Sequence, residues 1–145
     1  MEPNRSTKEI SLLQDIDTPA VIVDLKIVKE NINTYQKYCD DIGITLRPHI
    51  KTHKIPALAK LQVRAGAVGI TAQKISEAEA MISEGGIDDV LITYNIIGEQ
   101  KLKALLHLAN KVKVSVVADS LFCIKGLSKT FKEAEKPLSV LVECD

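Results

Sequence analysis

Basic side chains recur at alternate positions of one short segment. Residues 44–54 read Ile-Thr-Leu-Arg-Pro-His-Ile-Lys-Thr-His-Lys. In an extended chain successive side chains point to opposite faces. Ile44, Leu46, Pro48 and Ile50 therefore share one face, and Thr45, Arg47, His49 and Lys51 share the other. The apolar set suits packing against helices. The basic set crowds cations together, and like charges with partial desolvation favour a neutral amine. A neutral lysine attacks carbonyl carbons, so Lys51 is the candidate for Schiff-base chemistry, and its neighbours suit an anionic cofactor. A solvated basic strand end, or a phosphate-binding patch without catalysis, has the same pattern. His49 and His53 stand four apart, which on a helix would suggest a metal pair. Here the segment reads as strand then loop, which argues against one. Pro48 has no N–H for a ladder, so a bulge or a missing bond is expected there.

The rest of the chain must hold that segment. Short β-rich runs begin near Ile44, Ala67, Val90, Lys113 and Leu138, at offsets of 23, 23, 23 and 25 residues. Each gap holds apolar residues at helical spacing, the pattern of βαβ units around a parallel sheet. Asp24 can cap a first helix with Val28, Ile32, Tyr35 and Cys39 on one face, ended by Gly43. Pro56 fits the first turn of a second helix, with Leu58, Leu61 and Ala65 inward. Ser76 and Glu79 form a capping-box pattern before a third, which Gly85 and Gly86 end. Leu102, Leu105, Leu106 and Ala109 mark a fourth. Leu121, Ile124, Leu127 and Phe131 mark a fifth, capped by Asp119 or Ser120. No G-x-G-x-x-G or G-x-x-x-x-G-K-[ST] occurs, so a (β/α)8 barrel is favoured over a doubly wound sheet. On that reading Lys51 stands at the C-terminal end of the first strand, where barrel enzymes place their sites.

Thr71 and Gln73, Tyr94 and Asn95, Asp119, and Glu143 with Asp145 stand at the other strand ends as possible site residues. Each has a structural alternative, such as Asp119 serving only as a cap. His107 reads as surface. A barrel needs about 250 residues, whereas this chain has 145 and stops at the tip of its fifth strand. The expected fold is thus a partial TIM-type barrel of about five βα units, truncated; a small open sheet standing alone is the alternative.

Composition excludes several classes. Lys and Arg number 19, as do Asp and Glu, so neither nucleic acid nor an anionic membrane is favoured electrostatically. The three tyrosines, two phenylalanines and no tryptophan make a base-stacking platform unlikely. No apolar run approaches the roughly 20 residues of a membrane span. Met1–Thr7 lacks the apolar stretch of a secretory signal, so the cytoplasm is the expected compartment. Cys39, Cys123 and Cys144 are too scattered for a disulfide framework and are expected to be buried as small apolar residues.

The motif R-P-H-x-K-T-H-K at Arg47–Lys54 resembles the cofactor-lysine segment of the D-threonine aldolase and D-serine dehydratase family, whose members share the alanine-racemase-like barrel of fold-type III pyridoxal phosphate enzymes. Asp17–Asp24 resembles that family's opening D-T-P strand. Residues 65–79, 87–95 and 140–145 resemble its second-, third- and fifth-strand blocks. The resemblance implies pyridoxal 5'-phosphate held by Lys51, with Arg47 and His49 nearby and Gln73 and Tyr94 lining the pocket. It implies a divalent metal, zinc or manganese, whose ligands lie in a C-terminal part with no counterpart here. It assigns residues 1–15 to a tail, 16–25 to a strand pairing with a C-terminal β-domain, and 26–145 to the first five barrel units. The implied activity is a lyase acting on D-3-hydroxy amino acids, D-threonine aldolase-like, in a homodimer when full length. Alternatives are a D-serine dehydratase (an ammonia-lyase), an amino-acid racemase, a pyridoxal phosphate-binding protein without activity, and an inactive remnant.

Overall fold

The computed structural model describes residues 13–144; the first twelve residues of the expected tail lie outside them. The elements bounded within the described residues are five helices and four strands, which alternate from the second helix on. They are α1 (Leu25–Asp41), α2 (Pro56–Arg64), β1 (Ile70–Ala72), α3 (Ile75–Ile82), β2 (Asp89–Ile92), α4 (Glu99–Ala109), β3 (Lys113–Ala118), α5 (Leu121–Phe131) and β4 (Ser139–Val142).

All pairings are parallel and the strands lie in chain order, β1-β2-β3-β4. A doubly wound sheet would reverse its order part-way. Parallel crossovers are right-handed almost without exception, so unreversed order puts every connecting helix on the same face. Successive helices from α2 to α5 touch their neighbours, as a single layer requires. This is the architecture of a barrel wall.

Side-chain alternation divides the sheet. Ile70, Ala72, Val90, Ile92, Val114, Val116 and Ala118 point into the helix-side core with Ile50, Met81, Leu105, Leu108, Cys123 and Leu127. Fully burying each large aliphatic side chain contributes about 1.5–3 kcal/mol. The opposite face carries His49, Thr71, Leu91, Ser115 and Ser139 side by side in register.

The first expected strand is reduced to one parallel bridge, His49 to Thr71. Pro48 explains why. Its carbonyl accepts from Thr71 N at 2.8 Å and Ile50 N donates to Thr71 O at 2.9 Å, while Leu46 O accepts from Val68 N at 3.0 Å. Two residues on one side thus span three on the other. That is a bulge at the point where proline lacks a donor.

Local signals were partly overridden. Asp24 Oδ1 accepts from Lys26 N and Ile27 N, Pro56 opens α2, and Ser120 Oγ accepts from Cys123 N. The Ser76–Glu79 capping box is absent. Lys74 is the N-cap of α3, and Glu77 reaches back to Gln73 N at 3.0 Å. In α1, Gln36 and Cys39 are buried whereas Tyr35 is exposed beside Tyr38. Gln36 covers the Cα of Gly66, whose lack of a Cβ lets it approach. In α5, Cys123 and Leu127 face the core while Leu121 and Ile124 do not. Cys144 is exposed, contrary to expectation, unlike Cys39 and Cys123. Residues 20–24 are in no strand, and Val21 is 96% exposed.

Candidate active site

The C-terminal ends of the strands lie together, as parallel neighbours must. Lys51 occupies the turn that follows the bridge, and its side chain is exposed. His49 sits on the same face, half-buried. Its Nδ1 accepts from Lys51 N at 3.2 Å, so the neutral ring carries its proton on Nε2. That Nε2 is buried with no hydrogen-bond partner. Burial first, then the nearby Lys51 charge, hold the His49 pKa below the ordinary imidazole value, against Glu77, Gln73 and the Thr71 backbone.

The next strand ends complete the rim. Gln73 follows β1 and is half-buried, with its N–H held by Glu77. Tyr94 follows β2 and is 54% exposed, with Lys101 Nζ 6.0 Å from its ring centroid. Asn95 Nδ2 donates to Asp119 Oδ2 at 2.6 Å across the gap from β2 to β3. Ser120 caps α5, which leaves the Asp119 carboxylate to this contact. A cleft of about 750 Å³ is lined by Thr93, Tyr94, Asn95, Lys101, Asp119 and Glu143. Tyr94 also borders a more apolar cleft of about 550 Å³ between α3 and α4.

Arg47 stands apart from this group. It shares the face of His49 but lies one layer nearer the N-terminal strand ends. Its Nη1 is 2.6 Å from Asp89 Oδ1, and Asp89 Oδ2 is 2.8 Å from Lys113 Nζ. The guanidinium passes directly over Gly69, where a Cβ would lie 2.6 Å from Nη1. Burial alone would raise the Asp89 pKa, but the Arg47 and Lys113 hydrogen bonds and charges outweigh it and hold it low. His53 behaves as a second packed imidazole. Its Nδ1 accepts from Ile55 N at 3.0 Å, and burial lowers its pKa against the pull of Gln62.

Sequence reasoning missed Glu77 and Asp89. The repeat held a signal for one of them: Lys54 and Glu77 are 23 residues apart, one βα unit, and equivalent positions of successive units are neighbours. Their ion pair is 3.0 Å long. Among the described residues no group of three or more His, Cys, Asp or Glu side chains could hold a metal ion.

The comparisons with known proteins agree with this fold. The family described as "Alanine racemase, N-terminal domain" matches residues 23–145. The chain belongs to that family. It is similar to D-threonine aldolase from Arthrobacter sp., 37% identical over 133 residues that cover 92% of this chain and 35% of the relative. It is also similar to 3-hydroxy-D-aspartate aldolase from Paracoccus denitrificans, 36% identical, covering 90% of the chain and 34% of the relative. Among solved structures, D-threonine aldolase from Filomicrobium marinum superposes with a TM-score of 0.87 at 41% identity, over 92% of this chain and 36% of that one. D-threo-3-hydroxyaspartate dehydratase from Delftia sp. HT23 gives 0.81 at 30%, over 90% and 34%. This alanine racemase N-terminal family chain thus spans about a third of the length of the curated relatives it matches. Its four strands and one bridge form part of an alanine-racemase-like barrel, and its similarities point to the lyases among those relatives.

Proposed function

We propose that this chain supplies the cofactor-lysine portion of a pyridoxal phosphate-dependent lyase acting on D-3-hydroxy amino acids, with retro-aldol cleavage of D-threonine to glycine and acetaldehyde as the leading activity. The observation that carries this reading is Lys51 in the turn at the C-terminal ends of the strands, its backbone N–H on Nδ1 of His49, whose Nε2 is buried without a partner. An amine for an aldehyde and an N–H in want of an acceptor fit an oxygen-rich, aldehyde-bearing cofactor. The dominant names among the relatives support the lyase class.

Roles follow from position. Lys51 would hold the aldehyde carbon through Nζ in its neutral form. His49 would donate from Nε2, since its ring resists a second proton. When bound, the cofactor supplies an electron sink for the bond broken at Cα. Gln73 and Tyr94 would line the pocket and exclude water from it. Lys101, Asp119 and Glu143 present both signs of charge to one cleft, as the zwitterion of an amino acid requires. Arg47, engaged by Asp89, would hold the His49 strand in place from beneath. Residues 16–25 would pair with a further β-domain, and the full-length protein would act as a cytoplasmic homodimer. No described helix is long and apolar enough to cross a membrane.

Dehydration is the second reading, because D-threo-3-hydroxyaspartate dehydratase and D-serine dehydratase also occur among the relatives. Assays of the full-length protein with D-threonine and D-serine, with and without divalent metal, separate the two. Glycine with acetaldehyde supports the aldolase, and pyruvate with ammonia supports the dehydratase. Protein that takes up no pyridoxal phosphate contradicts both.

A further inference from the structure

We infer that Glu77 is a positioning residue, a clamp that fixes the Lys51 turn against the turn bearing Gln73; this rests on reading Lys51 as the carbonyl-binding lysine. The carboxylate uses its two oxygens on two different segments. Oε1 is 3.0 Å from Lys54 Nζ, three residues past Lys51, and Oε2 accepts from Gln73 N at 3.0 Å. The Glu77 side chain is only 8% exposed, which shields its bond to Gln73 N, whereas the Lys54 side chain that meets its other oxygen is 56% exposed. Charge-assisted bonds of this kind are about twice as strong as neutral ones.

The turn being held needs a restraint. Lys54 has φ of 52°, a left-handed conformation that costs a non-glycine residue free energy. Its N–H closes the turn on Ile50 O at 2.9 Å. Besides that bond, the turn is held by the Lys51 N to His49 contact and by the packed His53 ring, whose Nδ1 accepts from Ile55 N. The Lys54–Glu77 pair therefore ties the free side of the turn to α3. Because Glu77 also fixes Gln73, one carboxylate sets the spacing between the ends of two adjacent strands. Burial would raise its pKa, but the bonds from Lys54 and Gln73 and the charges of Lys54 and Lys74 outweigh this and keep it ionised.

The test is amide hydrogen exchange on the full-length protein, read for peptides covering residues 50–55 and 70–74, beside the global unfolding midpoint. Glu77→Gln should speed exchange in both peptides by about tenfold relative to wild type, the scale of a lost local opening barrier. Lys54→Met changes an exposed side chain and leaves the Glu77 bond to Gln73 intact. It should speed only the 50–55 peptide, and should slow uptake of added pyridoxal phosphate while the final extent at saturation is unchanged. Unaltered exchange at 50–55 in Lys54→Met overturns the clamp, as does a Glu77→Gln protein whose midpoint falls with no local change at 50–55. A wild-type protein that takes up no pyridoxal phosphate would overturn the proposed function instead, and the exchange data would still decide the clamp.

Discussion

Lys51 donates its backbone N–H to Nδ1 of His49 at 3.2 Å. This local bond curls the chain back at the strand end and fixes the imidazole tautomer at once. The ring's one proton is then on Nε2, which is buried and unpaired. His53 Nε2 is likewise buried without a partner, so it is the bond from Lys51 N at the strand end that singles out His49.

Acidification should destabilise the protein in two windows. His49 and His53 both have folded pKa values below 6.5. The unfolded chain therefore takes up protons first, and the stability present above that value declines as pH falls toward the folded values. Glu77 and Asp89 are likewise lowered, from 4.5 and 3.8. Their contribution is complete above those values and disappears as pH falls through the folded ones. Urea-unfolding midpoints against pH should show both declines, and a combined His49→Gln, His53→Gln variant should flatten the upper window only. An unchanged upper window in that variant would contradict the assignment.

Asp89 should matter for stability through Arg47. Asp89→Asn leaves a half-buried guanidinium without its anion and should cost about 1–3 kcal/mol. Lys113 is mostly exposed, so Lys113→Met should change stability by less than about 1 kcal/mol. Gly69→Ala drives a Cβ into the Asp89 carbonyl and the Arg47 guanidinium, and should cost about 3 kcal/mol. Denaturant titrations rank the three. Equal costs for Asp89→Asn and Lys113→Met would show that burial of the Arg47 arm is unimportant.

Cap substitutions discriminate the helix starts. Ser120 Oγ bonds Cys123 N, so Ser120→Ala should cost about 1 kcal/mol. Ser76 is exposed inside the first turn of α3 and bonds nothing as a cap, so Ser76→Ala should stay within about 0.5 kcal/mol. Thermal unfolding of the two variants measures the difference, and a larger loss at Ser76 would restore the capping box rejected above.

The repeat and the strand faces were legible because both are periodic. Burial of Ile50 opposite Arg47 and His49 follows from alternation alone, and the five helices follow from the 23-residue spacing. What failed was decided by distant partners. Glu77 looked like an ordinary helix residue until Lys54, a full unit earlier, came alongside it. For Arg47, alternation gives the face but not the ion-pair partner, Asp89, 42 residues away. Leu121 and Ile124 fit an apolar stripe by spacing, yet α5 turns Cys123 and Leu127 to the core and leaves both of them exposed.

The most direct test is covalent capture. Full-length protein mixed with pyridoxal phosphate should develop an absorbance band near the visible edge that borohydride abolishes, with the reduced label mapping to Lys51 by peptide mass spectrometry. Lys51→Ala should lose the band, and Lys54→Ala should keep it at saturating cofactor. A band that survives Lys51→Ala, or one that Lys54→Ala removes, would contradict the account.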